Sequence, residues 1–303
     1  MELRVLQYFL AVAREQSISS AAESLHLSQP TLSTQLKALE EELGKQLLIR
    51  GTKGSRKVLL TEEGMILRKR AEEILELVRM TESEIALSDE AIAGDVYIGT
   101  GESDRIRFFA RAAKRLQEKC PDIHYHILSG NTTFVKEYLD RGLVDFGVVY
   151  GAVDTNKYNA IEVPICDTWG VLMRKDAPLA KKEAIRPQDL WNKPLIISAQ
   201  KDDTWPMAKW FGRDLSRLNV VATYNLVFNA SLMVEEGLGY ALCFDKLINV
   251  SGDSPLCFRP LSPKFEAQAS IIWKRYQVFS KASERFLQEL KLFCPCGSKQ
   301  EKE

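Results

Sequence analysis

The run from Ser17 to Leu36, Ser-Ile-Ser-Ser-Ala-Ala-Glu-Ser-Leu-His-Leu-Ser-Gln-Pro-Thr-Leu-Ser-Thr-Gln-Leu, leaves this chain few ways to fold. It reads as two short helices joined by a tight corner. Ser19 or Ser20 can N-cap the first, because a hydroxyl satisfies an orphan backbone N–H. Ala21, Ala22 and Leu25 then form its inward stripe, and His26-Leu27 turns the corner. Ser28 caps the second helix. Pro30 sits in its first turn, where a missing N–H costs little. Leu32, Leu36, Leu39 and Leu43 recur at helical spacing and face a core. Gln29, Ser33, Thr34 and Lys37 are left for the outer face. A helix docked by its apolar stripe, with small polar donors outside, suits the major groove of DNA. Two capped amphipathic helices are common by spacing alone, so the flanking residues have to carry the distinction.

Upstream, Leu3, Leu6, Phe9, Leu10 and Val12-Ala13 mark a helix that completes a three-helix core. Downstream, residues 45–57 hold Lys45, Arg50, Lys53, Arg56 and Lys57 with no acid. Leu47-Leu48-Ile49 and Val58-Leu59-Leu60 flank Gly51 and Gly54, which predicts a two-stranded wing with a basic tip. Residues 1–60 carry eight bases and six acids, and five of the eight bases lie in this wing. The whole chain balances 41 bases against 41 acids. That excludes a basic coat over the molecule but not a local patch, and phosphate neutralisation is local.

These residues resemble the helix-turn-helix of the LysR-type transcriptional regulators. There a Ser-x-x-x-Ala-Ala-x-x-Leu run, here Ser17 to Leu25, leads into Ser-Gln-Pro-x-x-Ser, here Ser28 to Ser33. The resemblance continues through Leu39-Glu40, Leu43-Gly44, Leu47-Leu48-Ile49-Arg50 and Leu60-Thr61-Glu62-Glu63-Gly64. Leu48 stands where the family usually carries Phe, a packing change. Thr34 stands where Arg is frequent, which removes a charged contact to DNA. The resemblance implies DNA contacts from Gln29, Pro30, Ser33, Thr34, Lys37, Arg50, Lys53, Arg56 and Lys57.

Thr61 can cap a further helix, with Glu62 and Glu63 in its first turn favouring the dipole. The pattern predicts helix from about Gly64 to about Ala93. Leu67, Ala71, Ile74, Val78, Thr81 and Ile85 alternate four and three apart, a heptad seam. Nothing nearby is an equal-length mate, so a second copy of the chain is the simpler partner.

After Gly94 strands alternate with helices. Val96 to Gly99, His124 to Leu128 and Asp145 to Tyr150 are strands, with helices over Ile106–Leu116 and Thr133–Leu139. The order repeats with Gly170 to Met173, Leu195 to Ser198, a Trp205–Leu215 helix, an Ala230–Glu236 helix and Tyr240 to Cys243. Ala269 to Trp273 is a late strand and Ser280–Phe293 a last helix. This alternation predicts parallel sheets with right-handed crossovers. Gly130-Asn131-Thr132, Gly142 to Val148 and Glu236 to Leu242 are similar to the LysR-type effector domain. The resemblance implies an α/β chain: a winged helix-turn-helix over 1–60, a dimerising linker helix over 61–92 and a two-lobed, periplasmic-binding-protein-like effector domain over 93–303. Lobe I would take about 93–162 and 266–303, and lobe II about 163–265.

Open α/β sheets bind ligands at strand C-terminal ends. The loops there supply Thr100, Gly101, Glu102 and Ser103; Ser129, Asn131 and Thr132; Ser198 and Gln200; and Asn229. Helix N-termini favour carboxylates, although Ser103, Thr132 and Asn229 can also serve only as caps. Glu102 and Asp104 would repel an anion unless Arg105, Arg107 or Lys201 offsets them, which favours a cationic, zwitterionic or neutral effector.

No Gly-x-Ser-x-Gly, phosphate loop or G-x-G-x-x-G is present, and an enzyme is not expected. His124 and His126 share one face of a strand without a third ligand nearby, so no metal is expected. The six cysteines form no C-x-x-C and read as free thiols. Cofactors are not expected. The N-terminus lacks the pattern of a signal peptide, and no apolar run approaches the roughly 20 residues a membrane helix needs. The expected partners are double-stranded DNA, a small-molecule effector, a homodimer or homotetramer of the chain and, by the resemblance, RNA polymerase, in the cytoplasm. The alternatives are an effector-independent regulator with a vestigial cleft, or a bilobed enzyme fused to a DNA-binding domain.

Overall fold

In the computed structural model the described residues are 1–50, 57–86, 92–199 and 207–293. The chain divides into two compact units, Met1–Ser88 and Asp89–Glu303.

In the first unit, helices α1 (Leu3–Glu15), α2 (Ile18–Ser24) and α3 (Gln29–Leu43) precede a two-stranded wing, β1 (Leu48–Arg50) and β2 (Val58–Leu60), and a long helix α4 (Glu62–Ala86). The α2 cap is Ser17, not Ser19 or Ser20. Its backbone is extended and its Oγ accepts the Ser20 N–H at 3.2 Å, whereas Ser19 and Ser20 already lie inside the helix. His26 turns the corner at φ 54°. Ser28 caps α3 by accepting the Thr31 N–H at 3.2 Å. Leu32, Leu36 and Leu39 are buried against Leu6, Phe9, Val12 and Ala21. Burying each of these leucines stabilises the unit by roughly 1.5–3 kcal/mol. Leu43 is 41% exposed, because α3 ends there and Gly44 takes a left-handed conformation.

The wing strands pair antiparallel, Leu48 opposite Leu60 and Arg50 opposite Val58. Thr61 caps α4 through its Oγ, which accepts the Gly64 N–H at 3.0 Å. Gly64 is required here, since a Cβ would lie 2.2 Å from the Leu47 carbonyl oxygen. The heptad reading of α4 needs correction in its first half. Leu67 and Ala71 are buried in the core shared with α1, so they are not free to meet a second copy. Ile74 and Val78 are half-buried and Ile85 is 78% exposed. A periodic stripe states that a face is apolar and not which chain covers it.

The second unit runs β3 (Gly94–Thr100), α5 (Ile106–Gln117), β4 (Ile123–Ser129), α6 (Thr132–Asp140), β5 (Phe146–Tyr150) and β6 (Tyr158–Glu162) in one lobe. It crosses to β7 (Asp167–Arg174), α7 (Pro187–Leu190), β8 (Leu195–Ser198), α8 (Met207–Phe211), β9 (Val220–Tyr224), α9 (Val227–Glu235), β10 (Tyr240–Phe244), β11 (Leu256–Pro260) and β12 (Glu266–Ala267). It returns through β13 (Ala269–Lys274) and ends in α10 (Lys281–Phe293). The sheets have orders β4-β3-β5-β13-β6 and β11-β7-β10-β8-β9, with β12 also on β7. The expected helix around Trp205–Leu215 is the shorter α8, and Trp205 lies outside the described residues.

The sheets are mixed rather than parallel. β13 runs antiparallel to β5 and β6, and β7 antiparallel to β10 and β11. The two crossings between lobes run side by side, with Asp167 opposite Ala267. A strand that returns from the other lobe enters its sheet reversed. The first lobe closes over Val96, Ile98, Phe146, Ile271 and Phe286. The second lobe buries Val171, Ile197 and Phe211 on one sheet face and Leu172, Ile196 and Val234 on the other. Among the described residues no helix is long and apolar enough to cross a membrane.

Candidate DNA surface and ligand cleft

The outer face of α3 carries Gln29, Pro30, Thr34 and Lys37, all exposed, with Ser33 half-buried. Thr34 spends its hydroxyl on the Pro30 carbonyl at 2.9 Å, which leaves its methyl as the outward contact. Lys37 lies 3.5 Å from Glu41 on the exposed surface, a weak pairing that phosphate can replace. Arg50 ends β1, and Lys57 is exposed just before β2. Lys53 and Arg56 lie outside the described residues.

In the second unit a cleft of about 520 Å³ opens between the lobes. Gly101, Glu102, Gly130, Asn131 and Thr132 line it from the first lobe, and Ser198, Tyr224, Asn225 and Val227 from the second. Trp169, Phe244 and Glu266 come from strands at and beside the crossings, and Phe265 and Gln268 flank the short β12 there. Gly130 has to be glycine, because a Cβ would sit 2.0 Å from the Phe134 ring. Asn131 caps α6 by accepting the Phe134 N–H at 2.8 Å. Thr132 is therefore a helical residue, and its Oγ1 accepts the Tyr150 N–H at 3.3 Å.

Five residues singled out from the sequence converge here: Gly101, Glu102, Asn131, Thr132 and Ser198. Four do not line the cleft. Thr100 is buried and donates its hydroxyl to the Gly101 carbonyl at 2.9 Å. Ser103 is buried, donates to Asp167 at 2.8 Å and accepts the Arg105 N–H at 2.9 Å. Ser129 ends β4 exposed, one step before the turn that faces the cleft. Asn229 lies inside α9 on its exposed side, and Asn225 takes the lining position. Gln200 and Lys201 lie outside the described residues.

Asp167 is the polar centre of the crossing and was not legible in the sequence. It is 2% exposed and accepts from Ser103 at 2.8 Å, Arg105 Nε at 3.1 Å and Tyr150 Oη at 2.5 Å. Burial, reinforced by the Asp167 charge, holds the Tyr150 hydroxyl far above the usual tyrosine range. It is thus a fixed donor at neutral pH. Asp104 faces Arg105 at 3.4 Å and Arg107 at 2.5 Å and does not line the cleft. Glu102 instead accepts the Val227 N–H at the start of α9, from the opposite lobe. His126 stacks on Tyr97 and bonds Asp95 at 2.6 Å, so that imidazole is engaged within its own lobe.

A winged helix-turn-helix joined to two α/β lobes around a cleft defines a DNA-binding protein with a ligand-binding domain. A family model for bacterial regulatory helix-turn-helix proteins of the lysR family matches residues 3–65, and one for the LysR substrate binding domain matches residues 89–294. The chain belongs to the LysR family: it is a DNA-binding transcriptional regulator with a substrate-binding domain. The uncharacterised regulator YvbU of Bacillus subtilis is 26% identical over 80% of this chain and 81% of its own length. The dual regulator OxyR of Escherichia coli is 31% identical over 65% of this chain and 63% of its own length. Full-length CbnR in complex with its target DNA matches with TM-score 0.74 at 17% identity, covering 97% of this chain and 100% of that one, a likeness of fold.

Proposed function

We propose that a small molecule bound between the lobes sets how this regulator holds DNA, and that the protein acts by binding and not by turnover. The observation that carries this reading is the cleft, about 520 Å³, within the roughly 300–1,000 Å³ of small-molecule sites. A ligand that prefers one lobe arrangement shifts the population toward it, and linkage passes that bias to the DNA-binding unit. The likeness to full-length CbnR bound to its target DNA supports the DNA partner. Gln29 and Ser33 would read bases, while Lys37, Arg50, Lys53, Arg56 and Lys57 would meet phosphates. Thr34 would offer its methyl to a base and Pro30 would set the start of the helix. Two copies, or four, would join through the second half of α4, with Val78 and Ile85 at the contact. Such an assembly would work in the cytoplasm and present itself to RNA polymerase.

The test uses a DNA site selected with the purified protein. Gln29→Ala and Ser33→Ala should each lower discrimination by about 1–3 kcal/mol, while Thr132→Val should leave the affinity of the ligand-free protein within about twofold. Discrimination unchanged by both α3 substitutions would overturn the assignment of α3. Val78→Asp with Ile85→Asp should abolish the dimer in sedimentation, because unpaired charges at an apolar contact are costly. An unchanged dimer would place the contact elsewhere.

A further inference from the structure

We infer that the cleft takes an organic cation, an ammonium on a compact apolar body, and not a carboxylate. This rests on the reading of the cleft as the effector site. The first observation is that the anion position is already filled. A helix N-terminus attracts carboxylates through its free N–H groups. At α9, a helix of nine residues, the N-cap Leu226 offers no side-chain bond, and the Val227 N–H is taken by Glu102 from the opposite lobe. A ligand carboxylate would have to displace the protein's own.

The second observation is the charge of the wall. Glu102, Glu162 and Glu266 line the cleft, and among its described lining residues there is no lysine or arginine. Glu266 shares its charge with Lys264 at 2.7 Å, away from the lining. Glu162 has no ion-pair partner among the described residues. Arg105, the buried cation of the first-lobe loop, does not line the cleft, and its charge is spent on Asp167 and Asp104. An anion entering this space would lose water while meeting only like charge.

The third observation is aromatic. Tyr150, Trp169, Tyr224, Phe244 and Phe265 line the same space, with Trp169 and Phe244 ring centres 4.4 Å apart and Tyr150 and Phe244 5.1 Å apart. Aromatic rings beside carboxylates are the combination that binds ammonium groups. One donor remains. The Trp169 Nε1–H is buried, with Trp169 itself 9% exposed, and finds no acceptor among the described residues. An ether, carbonyl or hydroxyl oxygen on the ligand would satisfy it.

The experiment compares benzylammonium, benzyl alcohol and benzoate, three ligands of one body and three charges, by calorimetric titration of the full-length protein at neutral pH. Benzylammonium should bind at least ~10-fold tighter than benzoate, with the alcohol between them. Glu162→Gln, an exposed position, should reduce that preference at least ~5-fold with the fold intact by circular dichroism. Benzoate binding as tightly as benzylammonium overturns the proposal. So does the absence of benzylammonium binding up to ~10 mM. Trp169→Leu, with Phe265→Leu in reserve should it misfold, locates the site. If benzoate binding is lost in that variant, the cleft stands as the ligand site and only its charge class falls. If benzylammonium binding is untouched by both Glu162→Gln and the aromatic substitution, the cation sits elsewhere and the cleft reading falls with it.

Discussion

Helices α6 and α9 both start at the cleft, one in each lobe, and their first turns are satisfied in opposite ways. α6 closes locally: Asn131 caps it from the adjoining residue. α9 has no side-chain cap of its own and receives Glu102 from the other lobe, across 125 residues of sequence. The first contact is indifferent to how far apart the lobes stand. The second exists only at this lobe separation. One lobe therefore carries a finished helix end, and the other carries an end whose electrostatics depend on closure. A ligand competing at that point would change lobe spacing and charge together.

The largest expected effect comes from removing what both lobes share. Asp167→Ala leaves Arg105, with its side chain 8% exposed, without its main partner. We expect a loss of about 3–5 kcal/mol, since a buried charge stripped of its partner is far costlier than a missing surface pair. Urea unfolding measures it, and a loss below about 1 kcal/mol would show that the crossing tolerates an open charge.

Glu102→Ala is next. A hydrogen bond to a charged group contributes about 1.5–3 kcal/mol, and we expect a loss in that range. Asn131→Ala should cost about 1 kcal/mol, as cap removals do. The double variant should be additive, because the two ends share no partner. Strong coupling between them would break the contrast between a local and a cross-lobe end.

A further effect appears only at alkaline pH. Burial raises the Tyr125 hydroxyl from 10.0 to about 12, and it raises Tyr150 and Tyr224 further. A neutral form favoured by the fold gives stability that is complete below the unfolded value and is lost as pH rises through the folded one. The urea midpoint should hold steady up to about pH 10 and fall between about 10 and 12. A flat profile over that window would mean these hydroxyls ionise in the folded protein as they do in water. In the same vein, burial pushes the Cys243 thiol up to about 12, and Ellman's reagent should leave it unmodified in the native state at neutral pH.

What could be read from residues alone follows the reach of the interactions. Ser28, Pro30 and the Leu32–Leu36–Leu39 stripe act within a few residues of themselves, so their roles are written locally. The first-lobe loops were legible as cleft-facing because a strand end followed by a helix start has one topological place. Ser103 shows where that stops. Its hydroxyl is taken by Asp167, 64 residues away, and no local pattern marks a position where the chain crosses between lobes. Trp169, Glu162 and Glu266 join the cleft for the same reason, since they lie on or beside those crossings. The edge strand β9 and the short β12 alternate too briefly to announce themselves. Leu67 and Ala71 carried the right periodicity toward the wrong neighbour, because a stripe does not name its mate.

The most direct test of the cross-lobe end is the distance between lobes. Spin labels on cysteines placed at Lys114 and Lys209, both exposed and one in each lobe, can be followed by double electron–electron resonance with Cys120, Cys166, Cys294 and Cys296 replaced and the buried Cys243 and Cys257 kept. A single narrow distance is expected for the parent and for Asn131→Ala. A longer and broader distribution is expected for Glu102→Ala. The same narrow distance in all three would contradict the claim that Glu102 on α9 ties the lobes together.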